Sequence, residues 1–175
     1  MTVKRILYWK PNLESAINSH SVNKISECVK AFNGVKERTW KTELSLLFFF
    51  LSFCSYNISL FLFNSCWDDD GAGVQYKLGD LRFKLIKVLS RDKNRSGIFV
   101  EIEYMPISSI EIAKPIMEEF IEIWQQVVST KSLSGEFIGT EPNFAEYGLS
   151  DSYTWRHTAV QYVDALLELI HSGGI

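Results

Sequence analysis

"DLRFKLIKVLSRDKNRSGIFVEIEY", residues 80–104, is the stretch on which the fold turns. Leu81, Phe83 and Leu85 alternate with Arg82 and Lys84; Ile98, Val100, Ile102 and Tyr104 alternate with Phe99, Glu101 and Glu103. A period of two on both arms, with the polar "SRDKNRSG" between them, predicts an antiparallel hairpin with one buried and one wet face. Charge proposes the register. Arg82 opposite Glu103 and Lys84 opposite Glu101 pair unlike charges on one face, and the same register sets Phe83 against Ile102 and Leu85 against Val100 on the other. Each pair is worth only about 0.2–1 kcal/mol. A slip of one residue would turn every side chain to the wrong face, so their agreement selects one pairing.

Outward from the hairpin, "VKRILYW" (3–9) reads as a strand closed by Pro11, which cannot donate to a ladder. Residues 21–32 read as a helix with Val22, Ile25, Cys28, Val29 and Phe32 on one face and Asn33-Gly34 as its stop. Beyond the hairpin, a helix carries an apolar stripe of Ile112, Pro115, Ile116, Phe120, Ile123, Trp124 and Val127, with Glu118, Glu119 and Glu122 on another side and Pro115 in its first turn. A last helix opens at Ser150-Asp151, buries Ala159, Tyr162, Val163, Leu166 and Ile170, and ends at Gly173-Gly174. The intervening loop holds one short strand near Phe137-Ile138. At 175 residues, without repeats or a low-complexity linker, the chain reads as a single domain, residues 1–175.

Composition excludes more than it assigns. A net charge of -3 and a pI near 5.7 give no basic footprint for nucleic acid. Cys28, Cys54 and Cys66 form an odd set without C-x-x-C spacing, which fits a reducing compartment. Asp68-Asp69-Asp70-Gly71 lacks the ligand spacing of a calcium loop. Glu118 and Glu122 stand one turn apart on a solvated helix face, and His20, His157 and His171 lack metal-ligand spacing. Asp151 and His157 lie near each other without any nucleophile signature to join them. The expectation is no catalytic residue, no metal and no cofactor; an enzyme with an unrecognised site is the distant reading.

Residues 74–105 resemble a known family, subunit 20 of the Mediator complex. Its pattern is a tyrosine-bearing strand (Gln75-Tyr76), an "F-x-[VL]-[KR]-[VL]" type of strand (Phe83 to Val88), and a "G-[IF]-x-[VI]-E-[VI]-E-[YF]" strand (Gly97 to Tyr104). An amphipathic helix over Met117 to Val128 follows, then Tyr147-Gly148-Leu149-Ser150-Asp151 and His157-Thr158-Ala159-Val160-Gln161-Tyr162-Val163. The resemblance implies an α+β fold: an antiparallel β-barrel-like sheet with flanking helices, including a C-terminal helix. It also implies a non-catalytic subunit of a nuclear coactivator, working in the head module. It would form a heterodimer with Mediator subunit 18, a tether through Mediator subunit 8, and an indirect route to RNA polymerase II, with no direct nucleic-acid or membrane contact. Tyr153, Trp155 and Tyr162 are the candidate partner-interface residues.

One segment resists this reading. "LSLLFFFLSFCSYNISLFLF", residues 44–63, has no charge and holds six of the twelve phenylalanines. Its thirteen Leu, Ile and Phe residues would each favour insertion by about 0.3–0.6 kcal/mol, and twenty residues at helical rise would span a bilayer. Two buried strands, about residues 44–53 and 58–63, turning at Cys54-Ser55-Tyr56-Asn57, are the preferred reading, because phenylalanine and isoleucine suit strands and the resemblance implies core strands in this interval. A translated stretch of AT-rich non-coding sequence is a third. A single-span membrane protein with residues 44–63 as the span and a soluble C-terminal domain is therefore the alternative to the coactivator subunit.

Overall fold

The computed structural model describes residues 1–11, 19–40, 73–89, 96–131, 133 and 135–171. The Leu44–Phe63 run, the Asp68–Asp70 turn, Cys54, Cys66 and Gly173-Gly174 lie outside them. In chain order the elements are β1 (Val3–Pro11), α1 (Ser19–Ala31), β2 (Val35–Trp40), β3 (Gly73–Leu78), β4 (Leu81–Leu89), β5 (Ser96–Tyr104), α2 (Ile110–Ser129), β6 (Gly135–Gly139) and α3 (Trp155–His171). The strands form one antiparallel sheet in the order β2-β3-β4-β5-β1-β6. The expected α+β class with a C-terminal helix is present. The described strands do not close into a barrel; β2 and β6 are the two edges.

β4 and β5 pair in the register that the charges propose: Arg82 faces Glu103, Phe83 faces Ile102, Lys84 faces Glu101 and Leu85 faces Val100. Phe83, Leu85, Val100 and Ile102 enter the main core with Leu7, Trp9, Tyr76 and Phe137, covered by α1 and α2. α1 buries Ile25, Cys28 and Val29 and stops at Asn33, whose φ of 57° is left-handed, while the Gly34 N–H donates to Val29 O at 3.3 Å. Trp124 stands at the centre, edge-on to Phe83 at 5.0 Å and tilted against Phe137 at 4.5 Å. β6 reaches this core because Gly135 has no Cβ; one there would meet the Trp9 ring at 2.4 Å.

One strand, β2, escapes the sequence reading; β3 coincides with the tyrosine-bearing strand at Gln75-Tyr76. β2, "VKERTW", is a charged edge strand with a bulge between Lys36 and Arg38, features that blunt an exposed edge. It is joined in the sheet to β3, which turns into β4 through two residues with Gly79 at φ 58°.

α2 and α3 are rotated relative to expectation. α2 buries Ala113, Met117, Ile121, Trp124 and Val128, so Ile112, Ile116 and Ile123 face outward. Its apolar arc is broader than one docking face, and the sheet takes the half that carries Trp124. The helix starts at Ile110, which puts Pro115 in the second turn rather than the first. α3 starts at Trp155 instead of Ser150-Asp151 and buries His157, Val160, Gln161, Ala165, Leu166 and Leu169, leaving Val163 exposed.

The second face of the sheet is not wet. α3 covers it, packing Ala165, Leu166 and Leu169 on Ile6, Tyr8 and Phe99. Glu101 is 3% exposed and Glu103 is buried beside it. The Glu101 carboxylate survives there because Lys4 (3.0 Å) and Lys84 pair with one oxygen and the Tyr162 hydroxyl donates to the other at 2.8 Å. Burial alone would raise its pKa; the charges and hydrogen bonds of Lys4 and Lys84 overcome this and hold it below the ordinary carboxylate value. Its stabilisation is therefore complete above the unfolded-state value of about 4.3 and is lost as pH falls through the lower folded-state value. We predict that Glu101→Gln lowers stability at neutral pH by about 2–3 kcal/mol, because the two lysines lose their counter-charge. Stability should then fall less steeply on acidification than in the parent chain. Urea denaturation at a series of pH values reads both effects.

Candidate partner interface

The turns before α3 are held by polar contacts rather than by helix. A 3-10 turn at Phe144–Tyr147 ends on Gly148 at φ 66°, and the Leu149 N–H donates to Phe144 O at 3.1 Å. Asp151 then crosses to the start of α2. Its carboxylate accepts from Ser109 Oγ at 2.7 Å and from the Glu111 N–H at 2.8 Å, while its carbonyl accepts from the Ile110 N–H at 3.2 Å. The first N–H groups of a helix lack internal partners and favour an anion. The hydrogen bond from Ser109, followed by that from the Glu111 amide, keeps Asp151 below the usual carboxylate range. This explains why α3 begins late: Asp151 caps α2, not its own helix.

His157 closes the clasp. The Thr154 N–H donates to Nδ1 at 3.1 Å, so Nε2 carries the proton and donates to Ser150 O at 2.9 Å. The ring stacks on Tyr153 at 5.1 Å and meets Phe144 edge-on at 4.7 Å. Gln161, one turn on, accepts from the Ile6 N–H at 3.1 Å and donates to Lys4 O at 2.9 Å and to Tyr153 Oη at 3.0 Å. β6 pairs with β1 only over Leu7–Pro11, so the Gln161 amide serves the β1 backbone where that strand has stopped.

The three expected interface residues separate. Tyr153 is buried, its phenol pushed well up by burial and its hydroxyl shared with Thr158 and Gln161. Tyr162 is half-buried, with its hydroxyl on Glu101; burial and that carboxylate raise its pKa. Trp155 is 41% exposed at the first position of α3, with the Arg156 guanidinium carbon 5.5 Å from its ring centroid. Tyr147, which the sequence reading did not single out, is 50% exposed. An open cleft of about 650 Å³ runs beside Trp155 and Arg156, lined also by Met1, Leu149, Ser152 and Thr154. Tyr, Trp and Arg on a rigid support are the side chains that dominate protein interfaces.

Among the described residues no three His, Cys, Asp or Glu side chains converge as a metal site. The buried polar groups of the clasp hold the fold. The row His157, Gln161, Ala165, Leu169, at four-residue spacing, is the sequence signal that places Gln161 against the sheet.

We predict that Gln161→Leu costs about 2–4 kcal/mol, because it strands the Ile6 N–H and the Lys4 carbonyl in a buried setting. Val163→Ser, on the exposed side of the same helix, should stay within about 0.5 kcal/mol. Urea midpoints of the two variants make the comparison, and a Gln161→Leu cost no larger than that of Val163→Ser would contradict the assignment.

Comparison with known proteins is consistent with this geometry. Residues 49–167 match the family model described as the TATA-binding related factor (TRF) of subunit 20 of the Mediator complex. The match opens inside the Leu44–Phe63 run. A protein of Arabidopsis thaliana, Mediator of RNA polymerase II transcription subunit 20b, is 32% identical over 218 aligned positions, covering 97% of this chain and 96% of the relative. That alignment is longer than the 175 residues of the chain, so the relative carries internal stretches with no counterpart here. No solved structure matches the chain. Among the described residues no helix is long and apolar enough to cross a membrane; the candidate span, residues 44–63, lies outside them. On the family match and the relative together, the chain belongs to the Mediator subunit 20 family.

Proposed function

We propose that this chain is a non-catalytic, nuclear subunit of the Mediator head module that acts by presenting surfaces to other subunits. In this reading it forms a heterodimer with Mediator subunit 18, connects to the module through Mediator subunit 8, and reaches RNA polymerase II indirectly. The observation that carries it is the family match across residues 49–167, which covers β3, β4, β5, α2, β6 and most of α3.

The geometry supports a binding role. The polar residues that could suggest catalysis have structural partners: His157 uses both ring nitrogens in the clasp, Asp151 caps α2, and Glu101 is neutralised by two lysines. Trp155, Tyr147 and Arg156 are the side chains of this region left for a neighbour. Tyr153 backs that surface through its contact with His157, whereas Tyr162 is committed to Glu101 on the sheet.

Detergent-free co-expression with a subunit 18 partner, followed by size-exclusion chromatography, should give co-elution at a one-to-one ratio. Trp155→Ser should weaken that complex by at least roughly tenfold, a loss of about 1.4 kcal/mol or more, as expected for an aromatic hot spot. Because Trp155 is exposed, its circular dichroism spectrum and melting should match the parent. A folded parent chain that elutes without the partner would sink the heterodimer, and full affinity in the Trp155 variant would remove this patch from the interface.

A further inference from the structure

α2 exposes three isoleucines on one side. Ile112 is 60%, Ile116 41% and Ile123 45% exposed. At 100° per residue these three lie beside one another along the helix axis, continuous with the half-buried Phe120 and Val127 that border α1. β-branched residues gain a helix nothing in water, since they restrict χ1 and lower helix propensity. Three at helical spacing on a solvent face form the anchor pattern by which a helix docks against another chain.

Charge identifies the occupant. Glu119 lies three residues after Ile116 and four before Ile123, directly beside the stripe, and Glu122 follows one turn from Glu119. Among the described residues no cation pairs with either. The cation of this helix, Lys114, lies on the opposite side and is engaged by Glu118 at 3.6 Å and Glu141 at 3.5 Å. An acidic border repels phosphate, which excludes nucleic acid and anionic lipid surfaces. It also excludes a second copy of this chain, because a two-fold contact would set Glu119 and Glu122 against themselves.

We propose that the Ile112–Ile116–Ile123 face of α2 is a docking site for an amphipathic helix of another protein, with an apolar stripe flanked by lysine or arginine. The proposal rests on the reading of this chain as a member of a multi-subunit assembly, and it concerns a surface separate from the Trp155 patch.

The test places p-benzoylphenylalanine at Ile116 in the full chain, co-expressed with the other Mediator head subunits. The purified complex is irradiated and the adducts are mapped by mass spectrometry. The expected adduct lies on a different chain, in a segment with helical apolar spacing and flanking basic residues. In a Glu119→Lys/Glu122→Lys background its yield should drop roughly tenfold, as expected for two reversed charges at an interface rim. An adduct within this chain, to a second copy, or to a segment without basic residues would overturn the proposal. So would the absence of any adduct in a complex that has assembled. Failure of the unmodified chain to co-purify with those subunits would instead remove the assembly reading, and this inference with it.

Discussion

The side-chain amide of Gln161 stands in for a strand, and much of the molecule depends on it. β1 lies between β5 and β6, but β6 accompanies it only from Leu7 to Pro11. Below Leu7, Gln161 supplies the acceptor for Ile6 and a donor for Lys4. A buried backbone group without a partner is costly, so α3 is fixed in both axial position and rotation on the sheet. The same amide reaches Tyr153, through which the constraint passes to His157 and the loop preceding Trp155. One polar residue in an otherwise apolar row thus couples the central sheet to the exposed rim.

The buried charges work in the same direction. Glu101 faces α3 from the middle of β5, and it would be costly to bury unpaired. Lys4 from β1, Lys84 from β4 and Tyr162 from α3 bring four elements to one carboxylate. Such a cluster adds little net stability over an apolar replacement. It does specify which strands adjoin and which helix face descends, because any other arrangement leaves a buried charge without its partner.

These two features also explain what the sequence could and could not convey. The register of β4 against β5 was legible because Arg82, Lys84, Glu101 and Glu103 encode it in local charge. Their burial was not, since an alternating charged face looks the same whether water or a helix covers it. α1 was readable from its single narrow stripe, Ile25, Cys28 and Val29. α2 was readable as a helix but not in its rotation: its apolar arc includes both Trp124, which the core takes, and Ile116, which it leaves outside. Asp151 resembles a helix start because it serves one, accepting from the first turn of α2, some forty residues earlier in the chain, beside the N-cap Ser109. Long-range capping of that kind leaves no periodic trace. Of the candidate interface residues, Trp155 alone projects substantially; aromatic identity does not separate it from Tyr153, whose ring lies under the clasp.

The resulting picture is of a family member whose buried polar residues serve architecture, while its candidate binding surfaces, the Trp155 rim and the α2 isoleucines, lie on helices. Amide hydrogen exchange, comparing the free chain with the same chain in the assembled Mediator head, tests this most directly. The account predicts added protection in peptides covering residues 144–156 on assembly, with β4 and β5 already protected in the free chain. Unchanged exchange over 144–156, with new protection confined to the central strands, would contradict it.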